Sequence, residues 1–428
     1  MTSPSEVIEK TLLPIKFIIV GGGLSGLSCA VALTRVTAGW GLIDEMCKRS
    51  SPHMDTINFY DCKENKWLGR HVYKEDVLRE CGDGQWLFLS HTDLRGVLYE
   101  AATNGGADIR TGCTVTAIHP ASRTVTLANG DNLVADVIIA ADGVGGIGRK
   151  TLVGRELELS PSGYILYSTT LPLNLVSEVP EIKGGTDDNA SAVCVHYGNG
   201  ICVYSYPVNP AGDLAIHIYG PDDGKGGDWA DHSASIVDAV RGQSPWVEKL
   251  ATLVPPATRV RAYDYEDLED WVHAGSSRFL AVGAAAHPLP EGSLQSFGML
   301  VEDAAVLGKL FSYLQKEDQI PNILWGFQDI RQPRCVAVKE RETYRAKLFT
   351  LKYGPEQVSR DQSLSQGADL GLYSLEEPRV LFTYDGDEAG ADWWHGWGKL
   401  QENARHPRHH VAAPVKVGVE VEIEAAVH

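Results

Sequence analysis

The sequence predicts an α/β protein in which a parallel, helix-flanked sheet is interrupted by an inserted antiparallel sheet. Three observations predict it. Short apolar runs at Lys16–Val20, Val137–Ala141 and Arg278–Gly283 end at glycine or at Asp142-Gly143, the pattern of strands buried on both faces. The first, KFIIV, runs straight into GGGLSG and then into a small-residue helix from Leu24 to Val36. From about Ser160 to Val272 the pattern switches to short alternating segments such as GYILYSTTLPL, SAVCVHYG, GICVYSYPV and DLAIHIYGP, separated by turns at GGTDDNASA and PDDGKGGD.

The bulk numbers narrow the function classes. A chain of 428 residues can bury a large core, and 43% apolar with 22% charged residues is ordinary for a globular protein. A net charge of −18 and the lack of a basic, aromatic-interleaved patch argue against nucleic-acid binding and anionic membranes. The apolar run near the N-terminus flows into glycines without a cationic leader, so it reads as a strand and not a signal peptide. No apolar stretch is long enough to span a membrane. Eight irregularly spaced cysteines, with no CxxC pair, read as free thiols in a reducing compartment, which points to the cytoplasm.

Between the strands, HTDLRGVLYEAATNG has helical spacing at Leu94, Val97, Leu98 and Ala101 and stops at Gly105. Asn129-Gly130 between alternating runs marks a hairpin. A helix is expected from about Ser293 to Leu314, with more helical material through Phe349. Residues 355–395 look irregular. The final VKVGVEVEIEAAV alternates with period two but is heavily charged, and it is expected to be a loosely held tail rather than an edge strand.

The glycines carry the first chemistry. Between a strand and a helix, Gly21 allows a tight turn, Gly23 lets the backbone approach a pyrophosphate, and Gly26 lets the helix pack on the sheet. The helix N-terminus favours the phosphate charge. Such a fold next supplies a second strand ending, about 20 residues on, in an acid that holds a ribose hydroxyl. Counting lands on Asp44, yet Trp40–Ile43 has little β character and two glycines stand beside it.

Four motifs recur in order: GGGLSG; the strand ending at Asp142-Gly143 with Arg149 following; RFLAVGAAAHPLPEGSL; and QDIRQPR from Gln328 to Arg334. Together they resemble the FAD-dependent aromatic-ring monooxygenases of the salicylate-hydroxylase type, and the GAAAHPLPEGSL version is similar to a fungal branch tied to secondary metabolism. The resemblance covers about residues 15–345. It implies a Rossmann-like FAD-binding domain with an inserted antiparallel β-sheet substrate domain. The parts would be residues 1–158, an FAD-binding first part; 159–274, the substrate domain; 275–350, the FAD-binding second part with long helices; and 351–428, a partly irregular C-terminal extension. It further implies FAD as cofactor and NAD(P)H and O2 as co-substrates. The expected activity is hydroxylation or epoxidation of a hydrophobic aromatic or polyketide- or terpenoid-like metabolite.

The cofactor-binding positions so implied are Gly21, Gly23, Gly26, His91, Arg95, Asp142, Gly143, Gly283, Ala284, His287 and Pro288. Tyr206, in YSYPV, matches a position where a phenol touches substrate, though a packed sheet tyrosine reads equally from the residues. His287, before a proline, reads first as a structural hydrogen-bonding group. The cluster His406, His409 and His410 lacks a partner set, so no metal is expected. DWWHGW reads as a packing staple.

The sequence departs from this family at cofactor contacts. Gly283-Ala284 has no carboxylate where the family has Gly-Asp, Gly146 stands for a serine, and His91 and Ser168 stand for arginines. The expected glycine-rich loop reads EGSLQSFG. WGLIDEM resembles a later family helix that here arrives directly after the first one. The simplest alignment therefore deletes the second strand and its acid between about Val36 and Gly39 and puts Asp44 on a helix. An unmade charged hydrogen bond to the ribose would cost about 1–3 kcal/mol. A second reading follows: a catalytically impaired relative that binds FAD weakly and serves as a ligand-binding or auxiliary protein. A nicotinamide-only dehydrogenase is disfavoured, because Asp142-Gly143 and the His-Pro loop would have no role in it.

Overall fold

The computed structural model describes residues 13–34, 40–51, 54–73, 79, 86–183, 192–366, 381–405 and 417–425. Its first layer is a five-stranded sheet with order β14-β8-β1-β15-β4. These strands are β1 (Leu13–Val20), β4 (Asp108–Thr111), β8 (Val137–Ala140), β14 (Phe279–Ala281) and β15 (Val417–Ala425). All four pairings are parallel. Every residue of β8 is buried, as the unbroken VIIA run requires of a strand covered on both faces.

Helices α1 (Leu24–Thr34), α3 (His91–Asn104), α6 (Ser296–Phe311) and α7 (Ile320–Phe349) contribute to the core around this sheet. Phe17 of β1 meets Phe311 of α6 edge to face, centroids 4.8 Å apart. Helix α3 starts where Ser90 Oγ accepts the Asp93 amide at 3.0 Å, and it buries Leu94, Val97, Leu98 and Ala101, the spacing the sequence displays. Helix α7 runs unbroken for 30 residues with Pro333 inside it.

The second layer is a seven-stranded sheet, order β13-β9-β12-β11-β10-β2-β3. Its strands are β2 (Thr56–Asp61), β3 (Lys66–Val72), β9 (Leu159–Leu171), β10 (Ala192–Tyr197), β11 (Cys202–Pro207), β12 (Leu214–Pro221) and β13 (Thr258–Tyr265). All pairings are antiparallel except β10 with β2, through which residues 56–72 join the sheet of the later segment. One face packs on helix α5 (Pro245–Leu253); the other carries Tyr164, Tyr204 and Tyr219 and meets Phe349. A small meander of β5 (Val115–His119), β6 (Thr124–Leu127) and β7 (Asn132–Val134) turns at Gly130.

Residues 40–46 hold no strand. Ile43–Arg49 is helix α2, and Asp44 sits exposed on it. The helix expected from Ser293 begins at Ser296, and residues 35–36 lie outside the described residues. Two expectations fail. The supposed irregular region contains α8 (Pro355–Ser365), opened by proline at its first turn, and α9 (Gly386–Trp393), capped by Asp385 Oδ1 accepting the amides of Asp387 and Glu388. Those start signals outweigh the poor apolar pattern. The supposed tail is β15, a central strand between β1 and β4. Its charges suggested exposure, but its backbone groups pair in parallel with β1 on one side and β4 on the other.

Within DWWHGW, Trp394 is buried and stacks on Tyr313 at 5.2 Å, whereas Trp397 is 66% exposed. His406, His409 and His410 lie outside the described residues.

Candidate functional site

Sheet order sets three chain reversals side by side. The Val20 carbonyl accepts the Ala141 amide at 2.8 Å, and the Ala140 carbonyl accepts the Val282 amide at 2.9 Å. The carboxyl ends of β1, β8 and β14 are therefore neighbours, and each feeds a turn: Gly21–Gly26, Asp142-Gly143 and Gly283–Ala286. In open α/β sheets ligands bind along this edge.

The three motif glycines do different work. Gly21 has φ 117°, and a Cβ there would stand 2.3 Å from the Ala141 carbonyl oxygen. A Cβ on Gly26 would stand 2.0 Å from the Gly21 carbonyl oxygen, so only glycine lets α1 start this close to the turn. A Cβ on Gly23 would meet nothing within 4 Å; the backbone there faces open space at the N-terminus of α1. Arg95 donates from Nε to the Gly22 carbonyl at 3.1 Å, which brings a guanidinium to the same turn, and His91 lies exposed one helical turn before it on α3.

Asp142 accepts the Gly148 amide at 2.9 Å, where helix α4 (Ile147–Val153) begins. Its other oxygen, Oδ1, is buried with no hydrogen-bond partner, as is Ser25 Oγ at the start of α1. Burial raises the Asp142 pKa above the usual carboxyl range, opposed by the backbone amides at the start of α4. Arg149, buried, ties this turn to the next by donating to the Ala285 carbonyl at 3.0 Å and the Glu266 carbonyl at 2.6 Å. A glycine cradle with free space, a nearby guanidinium and the unpartnered Ser25 hydroxyl at the start of α1 fit a dinucleotide phosphate. Ala284, exposed beside Gly283, offers no carboxylate.

His287 and Pro288 are buried, and His287 bonds away from the cradle. Its Nε2 is 2.6 Å from Asp303 Oδ2, which also accepts the Gly283 amide at 2.9 Å; Asp303 Oδ1 accepts Arg331 Nε at 2.8 Å. Burial would lower the His287 pKa, but the carboxylate of Asp303 overrides it and raises it to about 10. Asp303 is likewise held down at about 2 against burial, by His287 and Arg331. Cys335 Sγ lies within 4.8 Å of the His287 and Asp303 ligand atoms, yet both Asp303 oxygens already accept hydrogen bonds from the protein.

Glu302 pairs with Arg331 at 2.5 Å and with Arg334 at 2.9 Å. This network was missed by the sequence reading, although a signal existed. Asp303 falls on the apolar stripe Met299–Asp303–Val306–Leu310, and Arg331 on Phe327–Arg331–Cys335–Val338. A charge on a core-facing stripe calls for a buried partner.

The far end of the loop is pinned to the large sheet. Tyr219 donates to the Gly292 carbonyl at 3.1 Å, Tyr164 to the Glu291 carbonyl at 3.2 Å, and Arg345 to the Gly292 carbonyl at 2.9 Å. Tyr206 lies on this sheet and not on the strand-end edge. Its hydroxyl is 2.9 Å from His217 Nε2, and its ring packs against Phe88 and Tyr204 at 4.9 and 5.3 Å. Burial depresses His217 to about 4 and raises the Tyr206 phenol.

No family model matches the chain. It is 25% identical over 389 residues to FAD-dependent monooxygenase OpS4 of Beauveria bassiana, spanning 82% of this chain and 89% of that protein. Its fold is similar to that of CtdE in complex with FAD and substrate 4, with TM-score 0.74, 17% identity and coverage of 91% of this chain and 100% of the other. It is also similar to a salicylate hydroxylase substrate complex, with TM-score 0.64, 19% identity and coverage of 87% and 98%. The fold is that of the FAD-binding hydroxylases.

Proposed function

We propose that this chain, a relative of the FAD-dependent aromatic-ring monooxygenases, binds FAD along the carboxyl ends of β1, β8 and β14. With NAD(P)H and O2 it would insert one oxygen atom into a hydrophobic aromatic or polyketide- or terpenoid-like small molecule. Bound FAD would supply the redox chemistry, accepting hydride from the nicotinamide and activating oxygen, the second oxygen atom leaving as water.

The chain's own residues bind, orient and exclude water. The Gly21–Gly26 turn and the first amides of α1 take the pyrophosphate, with Arg95 adding positive charge. Asp142-Gly143 and the loop from Gly283 to Gly292 flank the cofactor, and the Asp303–Arg331–His287 network fixes that loop from below. Tyr206 aims a phenol at the substrate side. His217, kept neutral near pH 7 by burial, is hydrogen-bonded through Nε2 to the Tyr206 hydroxyl and so orients the phenol. The aromatic lining around Tyr206 supports an aromatic, hydrophobic substrate.

One observation carries the reading: three strand-end turns meet at one edge, and the glycine between them opens on free space. The test is the visible spectrum of the purified protein, with and without added FAD, followed by NAD(P)H oxidation in the presence of candidate phenols. Stoichiometric flavin absorbance and substrate-stimulated oxidation are expected. A protein that stays colourless with added FAD would sink the proposal and favour the impaired-relative reading, which the sterically complete cradle does not support. Tyr206→Phe is expected to raise KM for a phenolic substrate more than it lowers kcat.

A further inference from the structure

Between α1 and α2 the described residues contain no strand, and Asp44 is exposed on a helix. Yet the place beside β1, opposite β8, is filled. The occupant is β15, parallel to β1 and in register from Leu13↔Val417 to Val20↔Glu424. On its other side β15 pairs with β4, Glu424 opposite Arg110. Helix α1, which leaves the glycine turn, lies against β15 as well as β1. In a nucleotide-binding sheet the strand beside the first one ends in the acid that accepts the hydrogen bonds of the adenosine ribose. Here the residue level with the last residue of β1, one step before Gly21, is Glu424.

We propose that β15 replaces the missing second strand and that Glu424 is the acid that holds the ribose diol of the FAD adenosine. The inference rests on the proposed FAD binding and adds a binding residue from the opposite end of the sequence. The pattern VGVEVEIEA suits this task better than simple packing. A strand placed there only to fill the sheet gains most from apolar residues on both faces. Alternate glutamates are not what a filler strand calls for, and one of them, Glu424, occupies the register position level with the end of β1, where the sheet's second strand supplies the ribose acid. A ribose with free 2′- and 3′-hydroxyls suits a carboxylate, whereas a 2′-phosphate would be repelled.

The test uses the full-length protein stripped of flavin. FAD and FMN are titrated separately into the wild type, Glu424→Gln and Glu422→Gln, following flavin fluorescence, and the melting temperature of each flavin-free protein is recorded. FMN lacks the adenosine and serves as the control ligand. Loss of one charged hydrogen-bonding acceptor should weaken FAD about 10- to 100-fold in Glu424→Gln. FMN affinity in that variant, and FAD affinity in Glu422→Gln, should stay at the wild-type level. Equal FAD affinity for Glu424→Gln and wild type overturns the inference and leaves the proposed function standing. A wild type that takes up no FAD overturns the proposed function and this inference with it. If Glu424→Gln melts early, Glu424→Asp decides: recovery of FAD affinity with the carboxylate supports the ribose role, and a loss as large as that of the glutamine variant overturns it.

Discussion

The two flanks of β1 are built in opposite ways. On one side stand β8 and β14, apolar runs that are fully buried and end in recognisable turns. On the other stands β15, a charged, alternating segment from the far end of the sequence, and beyond it the short β4. The first flank is specified locally, by runs that can be nothing but buried strands. The second is specified by pairing: its backbone groups satisfy β1 and β4, whatever its hydropathy suggests. A parallel sheet can thus keep its layout while one strand is supplied by a distant part of the chain.

Removing the paired flank should have the largest effect. A chain ending at Pro414 lacks β15 and leaves facing edges of β1 and β4 without their partner. It is expected to lose most of the roughly 5–15 kcal/mol that stabilises a domain, read as a collapsed or absent cooperative transition in urea. Unchanged unfolding would break the comparison by showing that β15 is dispensable.

Next comes the network behind β14. Asp303→Asn leaves Arg331 and His287 buried without their carboxylate and is expected to cost about 3–5 kcal/mol. The same variant changes the pH response. His287 has its folded pKa raised to about 10, so its contribution is complete below its ordinary value and is lost as pH rises through about 10. Asp303 is depressed to about 2, so its contribution is present above its ordinary value and is lost as pH falls through about 2. Urea midpoints should therefore fall on the alkaline side in the wild type and run flatter in Asp303→Asn.

A smaller loss, about 2–5 kcal/mol, is expected for Ile138→Ala in β8, where the side chain is fully buried. Denaturant unfolding measures it, and a near-zero value would mean that the apolar flank is less committed than its burial implies. The smallest stability effect belongs to Gly23→Ala, within about 0.5 kcal/mol, because its Cβ meets nothing within 4 Å. The same Cβ would stand where a pyrophosphate approaches, so FAD affinity should drop by about tenfold or more in a fluorescence titration.

The contrast explains what was legible in the sequence. The glycine turn, the buried runs at Val137 and Phe279 and the helix at His91 declare themselves, because each depends on neighbours within a few residues. Asp44 on a helix was also readable, from the weak β character of Trp40–Ile43. The role of β15 was not, since period-two charge reads as solvent contact until a register with β1 is known. The partners of His287 were hidden for a related reason: Asp303 and Arg331 lie on separate helices, and only their intrusion on apolar stripes hinted at a meeting. Tyr206 was legible as a candidate, but its hydrogen bond to His217 across two strands was not.

The pairing of Val20 with Glu424 also constrains how the molecule is made. The strand β1 emerges early, while the segment that completes its edge is synthesised roughly 400 residues later, a closure whose entropic cost grows only slowly with loop length but whose waiting time does not shrink. Throughout that interval β1 presents an apolar, unpaired edge, the feature that recruits stray strands. Yield in a cell should therefore depend on how well that edge is guarded during synthesis, and a mutation that slows the arrival of residues 417–425 would act as an aggregation mutation without touching any bond in the finished sheet.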